Sequence, residues 1–185
     1  MRLDKPRVPP VPSDEWTDEQ REIIAPFLRG GVGGKAANVF GTLLNYPKLM
    51  KRWLVFANHC LAKSSLPARD RELVILRTAW LARCDYEWAQ HVVIGERDGV
   101  TADEMDALKD ANASHVWGRR EQAIITATDE LAVDVFLSDL TWASLENHLN
   151  QEQIIDLIFL VGQYRGLAGA LNSLGVQLDD GLKGF

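Results

Sequence analysis

The run Cys84-Asp85-Tyr86-Glu87-Trp88-Ala89-Gln90-His91, with Glu72 upstream of it, gathers a thiol, carboxylates, a phenol and an imidazole into a short stretch of chain. These are the ingredients of proton transfer or of thiol chemistry. On a helix, the four-residue spacing of Glu87 and His91 places both side chains on one face, one turn apart. A carboxylate in that position fixes the tautomer of an imidazole and raises its basicity. The plainer reading stands beside this one: a Cys in an apolar helix is commonly a small buried hydrophobe, and Glu-x-x-x-His is a common solvent-face pair. The functional reading therefore requires Glu72, Cys84 and His91 to converge from two neighbouring helices on one sheltered hollow.

Those helices can be drawn from local signals. Pro67 suits a helix's first turn, and the following helix should run to about Ala82 with Leu73, Leu76, Ala79 and Trp80 packing inward. Asp85 can cap the next one, which ends at Gly99. Cys84 then lies at that helix's N-terminal edge, where free backbone N–H groups and the helix dipole favour a thiolate and depress its pKa.

Around this pair the rest of the chain also reads as helix. Residues 1–16 form an extended arm, because Pro6, Pro9, Pro10 and Pro12 forbid a helix. Residues 17–185 form a single all-α domain. Thr17 with Gln20 opens a helix from 18 to about 28, which the cluster Gly30, Gly31, Gly33 and Gly34 ends. The stretch GGVGGK lacks the Lys-Ser/Thr ending of a phosphate loop, since Ala36 follows Lys35, and reads as a turn. After Pro47, helical spacing joins Leu49, Trp53, Phe56 and Leu61, with His59 and Cys60 as packing residues. Thr101 with Glu104 caps a helix to about Ala111. Ile124, Ile125, Ala127, Leu131 and Val135 mark one long amphipathic helix, and Thr141 starts a short one. Asn150 with Gln153 caps the last, whose nearly all-apolar surface suits a central or interface helix. No alternating strand pattern survives.

Composition narrows the function classes. With 185 residues, 46% hydrophobic and 25% charged, the chain can bury a core without disulfides or metal. A net charge of −6 without a basic block argues against nucleic acid as a partner. Cys60 and Cys84 form no C-x-x-C pair, which offers no zinc framework and fits a reducing compartment. No signal peptide precedes the domain and no stretch reaches the length of a membrane span, so a cytoplasmic protein without a membrane partner is expected.

The set Arg71-Glu72-Leu73-Val74-Ile75-Leu76, Cys84, Tyr86-Glu87-Trp88, His91 and Gly99-Val100-Thr101 resembles the carboxymuconolactone decarboxylase family, whose relatives include the alkyl hydroperoxidase D-like proteins. The resemblance spans about residues 40–175. In the peroxidase branch a Glu is followed by Cys-x-x-Cys and then, after three intervening residues, by His. Glu72, Cys84 and His91 match, but Glu87 stands where the second Cys would be, and Tyr86 replaces a His between the cysteines. A disulfide relay needs a resolving thiol, and that thiol is replaced here.

The resemblance implies an alkyl hydroperoxidase D-like helical bundle, assembled as a trimer or hexamer. Its decarboxylase branch implies cofactor-free, metal-free enzymes acting on small carboxylated lactones of aromatic catabolism. Loss of CO2 from such a compound leaves a dienolate, which needs donors at its oxygen and an acid to protonate carbon. In that scheme His91 shuttles the proton, Glu87 orients it and Glu72 completes the relay. Cys84, Tyr86 and Trp88 line the pocket, and Arg77 pairs with a substrate carboxylate or forms a salt bridge within the protein. Trp53 and Trp80 could add apolar walls. Isomerisation through the same dienolate, and thiol peroxidase chemistry at Cys84, are the alternatives.

Overall fold

The structure, a computed structural model, describes residues 3–28, 37–110 and 113–185. The helices are α1 (Asp18–Leu28), α2 (Asn38–Leu43), α3 (Pro47–Asn58), α4 (Ala68–Leu81), α5 (Asp85–Arg97), α6 (Ala102–Ala107), α7 (Arg119–Val133), α8 (Asp139–Glu146) and α9 (Gln151–Leu174). A π-helical turn, His59–Lys63, extends α3, and a 3-10 turn spans Ala113–Val116. Among the described residues there is no strand, and the fold is all-α. The glycine cluster and the GGVGGK stretch lie outside the described residues.

α4 occupies the centre, packed against α5, α7 and α9. Every residue from Glu72 to Ala79 is buried, so the single inward stripe expected for this helix was too narrow. Trp80 is only half-buried. α9 turns Ile154, Leu157, Leu160, Val161, Tyr164, Ala168 and Leu171 into the core and leaves Ile155 and Phe159 exposed. Its 24 residues are long and apolar enough to cross a membrane by length and composition, contrary to the expectation that no stretch is. Its inner face instead packs as a core helix on α4 and α7.

Local chemistry sets the helix starts. Reciprocal side-chain to backbone bonds join Thr17 with Gln20, Thr101 with Glu104, and Asn150 with Gln153. α8 begins earlier than expected, because Ser138 caps it and accepts from the Thr141 N–H. α6 stops at Ala107, and Val135, with φ 59°, lies beyond the end of α7. In α3 the buried residue is Met50, while Leu49 and Phe56 are exposed. Of the helically spaced set, Leu49, Trp53 and Phe56 line an open apolar groove between α3 and α9, where Phe56 and Phe159 meet edge to face at 6.0 Å. Cys60 packs in the core, whereas His59 lies at the surface and bonds Asp156 at 2.7 Å.

The proline-rich arm lies on its own domain. The N–H groups of Arg7 and Val8 donate to the Leu174 carbonyl at 2.8 and 3.2 Å, and that of Val11 donates to the Gly41 carbonyl at 3.0 Å. Carbonyls at the end of α9 are thereby satisfied. Gly175, at φ 73°, ends α9 directly under the arm, where an added Cβ would meet the Lys5 carbonyl at 3.0 Å.

Candidate active site

The turn between α4 and α5 brings the two halves of the motif together. Arg83 N–H bonds the Trp80 carbonyl and Cys84 N–H bonds the Ala79 carbonyl, both at 2.9 Å, with Arg83 at φ 50°. This is the hydrogen-bond pattern of a Schellman turn, in which a left-handed residue stops one helix and redirects the chain. α5 returns along α4, and the register places His91 beside Glu72. Nδ1 of His91 lies 2.7 Å from Oε2 of Glu72, with both side chains buried. The other Glu72 oxygen accepts from Arg71 Nε at 3.0 Å, and Arg71 also reaches Asp98 at 2.9 Å. A carboxylate on Nδ1 leaves Nε2 as the ring nitrogen free to exchange a proton.

His91 faces a cavity of about 170 Å3 lined by residues of α2, α3, the π-turn, α5 and α9. Its walls are mostly apolar, with Val39, Trp53, Leu54, Leu61, Ile94 and Leu167 among them. Tyr86, Glu87, Gln90, His91 and Tyr164 supply polar atoms. The Tyr164 ring stands edge to face with His91 at 5.0 Å.

Glu87 is the unusual member. It is 2% exposed, lines the cavity, and neither of its carboxyl oxygens has a hydrogen-bond partner. Burial pushes its carboxyl well above the usual 4.5, so the neutral acid is favoured over a widened pH range. The expected roles are therefore exchanged: Glu72, from the neighbouring helix, orients His91, and Glu87 stands free toward the cavity.

The thiol is not in this group. Cys84 is 0% exposed and packs among Val39, Tyr86, Ala168, Leu171 and Val176; it lies behind the wall that Val39, Tyr86 and Leu171 form and does not itself line the cavity. The amides of Glu87 and Tyr86 at the start of α5 draw its pKa down, as a helix N-terminus should, but burial outweighs them and pushes it up to about 12. The depressed pKa expected from position alone is thus reversed. Cys60 belongs to a different cluster, and both cysteines are free thiols.

The remaining expected residues divide. Tyr86 lines the cavity, but its hydroxyl donates to Asp179 at 2.7 Å and accepts from the Val39 N–H at 3.1 Å. Trp88 is elsewhere: it packs with Trp80 and Phe185, ring centroids 6.2 and 5.9 Å away, and Lys109 sits over its ring. Of the three tryptophans considered as walls, Trp53 alone reaches the cavity. Arg77 also points away. Its guanidinium grips Asp129 at 2.6 and 2.9 Å and the Leu108 carbonyl at 2.5 Å, so it ties α4 to α7 and takes no part in the cavity. Among the described residues, no group of three or more His, Cys, Asp or Glu side chains is placed to hold a metal ion.

Sequence reasoning missed Tyr164, Asn58, Gln163 and Asp179. Tyr164 carried a signal, being a phenol within the apolar run of α9; Asn58 and Gln163 reach the cavity only through the packing of α3 and α9.

The family model of the carboxymuconolactone decarboxylase family matches residues 47–130, from the start of α3 to within α7. The segment contains Glu72, Cys84, Glu87 and His91, while Tyr164 and Asp179 lie beyond it. No curated protein matches the chain by sequence. Among solved structures, the alkylhydroperoxidase AhpD core of an uncharacterized peroxidase-related protein from Ralstonia eutropha JMP134 is similar, with TM-score 0.81, 18% identity and coverage of 94% of this chain and 93% of that one. A peroxidase-related protein from Silicibacter sp. TM1040 gives 0.75 at 14% identity, covering 97% and 92%. A variant of the debrominase Bmp8, in complex with 2,3,4-tribromopyrrole, gives 0.77 at 14% identity, covering 94% and 91%. At these identities the likeness concerns the fold.

Proposed function

We propose that this protein, whose residues 47–130 match the carboxymuconolactone decarboxylase family model, is a proton-transfer enzyme acting on a small unsaturated carbonyl compound. The observation that carries the reading is the pairing of a buried, unpartnered Glu87 carboxyl with a His91 whose Nδ1 is held by Glu72, both on one mostly apolar cavity. Glu87 donates a hydrogen bond where negative charge develops on the carbonyl oxygen, and His91 Nε2 exchanges a proton with carbon. A dienolate is common to loss of CO2 from an unsaturated lactone acid and to movement of a double bond, and the arrangement suits both. Thiol chemistry is less well supported, because Cys84 is buried outside the cavity with its thiol pushed up to about 12.

Turnover of a small unsaturated lactone by purified variants tests this. His91→Ala should lower kcat roughly 10²–10⁴-fold, the usual worth of a general acid–base group. Cys84→Ser should stay near wild type. Equal rates for wild type and His91→Ala, or complete loss in Cys84→Ser with the fold intact, would defeat the proposal. The reading includes self-association into a trimer or hexamer, with the α3/α9 groove as a contact face. Light scattering that returned a monomer at all working concentrations would remove that part.

A further inference from the structure

The cavity discriminates by charge as well as by shape. Among its described lining residues there is no Lys or Arg. Among the described residues, Arg71 is committed to Glu72 and Asp98, and Arg77 to Asp129. An ionised carboxylate entering this space would shed water against the apolar walls without gaining a positive partner among the described residues, which disfavours it relative to an uncharged group. It would also place a second acidic group beside Glu87, and two carboxyl groups in one apolar site oppose each other's ionisation.

Size points the same way. A dry apolar cavity of roughly 150 Å3 holds a benzene-sized ring. The space here, about 170 Å3, fits one small ring with a carbonyl and little more.

We propose that the substrate is an uncharged, ring-sized carbonyl compound with a double bond one carbon removed from conjugation, and that the reaction is migration of that double bond rather than release of CO2. This rests on the proton-transfer reading above and selects one of its two outcomes. His91 Nε2 takes a proton from the carbon between carbonyl and alkene. The C–H electron pair moves into the adjoining C–C bond and displaces the carbonyl π pair onto oxygen, where the Glu87 O–H donates a hydrogen bond. The imidazolium, steadied by Glu72 on Nδ1, then delivers the proton to the far alkene carbon. The double bond ends in conjugation with the carbonyl. One proton leaves and one returns, so the step needs no oxidant, reductant or co-reactant.

Three five-membered β,γ-unsaturated lactones serve as probes: one with a methyl substituent, one with a carboxylate there, and the methyl ester of that carboxylate. Each is followed by NMR in D2O with wild type and His91→Ala. The expected result is double-bond migration with deuterium incorporation for the methyl and ester compounds, at least about 100-fold higher kcat/KM than for the carboxylate, and loss of both in His91→Ala. A carboxylate turned over faster than its ester, or releasing CO2 in a His91-dependent way, overturns the charge inference while sparing proton transfer. Exchange into none of the three defeats proton transfer itself, and this inference with it. Binding supplies a readout independent of turnover: wild type should bind phenol, a neutral mimic of the dienol, at least about 10-fold more tightly than benzoate. Benzoate binding as well as phenol would overturn the inference.

Discussion

Glu87→Gln tests the central feature without invoking a substrate. Glutamine keeps the shape of the side chain and removes its ionisation. In the wild type, burial holds the carboxyl pKa well above 4.5 in the folded protein, whereas in the unfolded chain it returns to the ordinary value. Below that value both states carry the proton. Above it the unfolded chain releases the proton and the folded chain keeps it, so the native state binds more protons and stability falls as pH rises. The loss accumulates at about 1.4 kcal/mol per pH unit and levels off once pH passes the folded pKa. Glutamine has no such dependence. For a chain of 185 residues this converts to a gap in Tm that widens in favour of Glu87→Gln by roughly 3–5 °C per pH unit. Thermal melts of both proteins by circular dichroism, from about pH 5 to about pH 7.5, measure the gap directly. A constant offset from altered packing cancels in the slope. A gap that does not change with pH would show that Glu87 ionises as freely in the folded protein as in the unfolded chain, and the picture of a neutral buried acid would be wrong.

Both thiols should react with a disulfide reagent only as fast as the protein opens, because burial pushes Cys84 up to about 12 and Cys60 up to about 11; rapid labelling of either in native buffer would contradict their placement. Arg77→Met should destabilise by about 1–3 kcal/mol in urea melts, chiefly because it leaves the buried Leu108 carbonyl unpaired while the partly exposed Asp129 turns to water, and should leave KM unchanged; a raised KM with unchanged stability would put Arg77 back in the site. Gly175→Ala should cost about 1–2 kcal/mol or more, through its positive φ and the Lys5 carbonyl 3.0 Å away, and should speed proteolysis of the arm. An arm cleaved no faster in that variant would mean that it is not held there.

How much of this was legible depends on the range of the interaction. The capping pairs Thr17–Gln20, Thr101–Glu104 and Asn150–Gln153 are local, and the sequence located them correctly. The all-α fold followed from the spacing of apolar residues. The family resemblance marked Glu72, Cys84 and His91, with Glu87 as a departure from it, but not which carboxylate serves the imidazole. Spacing on one helix favoured Glu87, whereas the helix-to-helix register set by the turn at Arg83 delivers Glu72 instead. Cys84 fails for a related reason. Its place at a helix start is local and was read correctly, yet burial under α2 and α9, which decides its pKa, is set by segments far away in sequence. Trp88 and Arg77 share the motif's helices but face other neighbours, and a motif names positions without naming faces.

Trp53, Gln163 and Leu167 line both the His91 cavity and the groove between α3 and α9. That partition is one side chain thick, so substrate scope and surface character cannot be redesigned independently at these three positions: trimming any of them to admit a bulkier ring also recontours the outside of the molecule. Leu54, Ile94 and Leu171 line the cavity without touching the groove. A library meant to reshape the chamber while leaving the exterior unchanged would begin with those three.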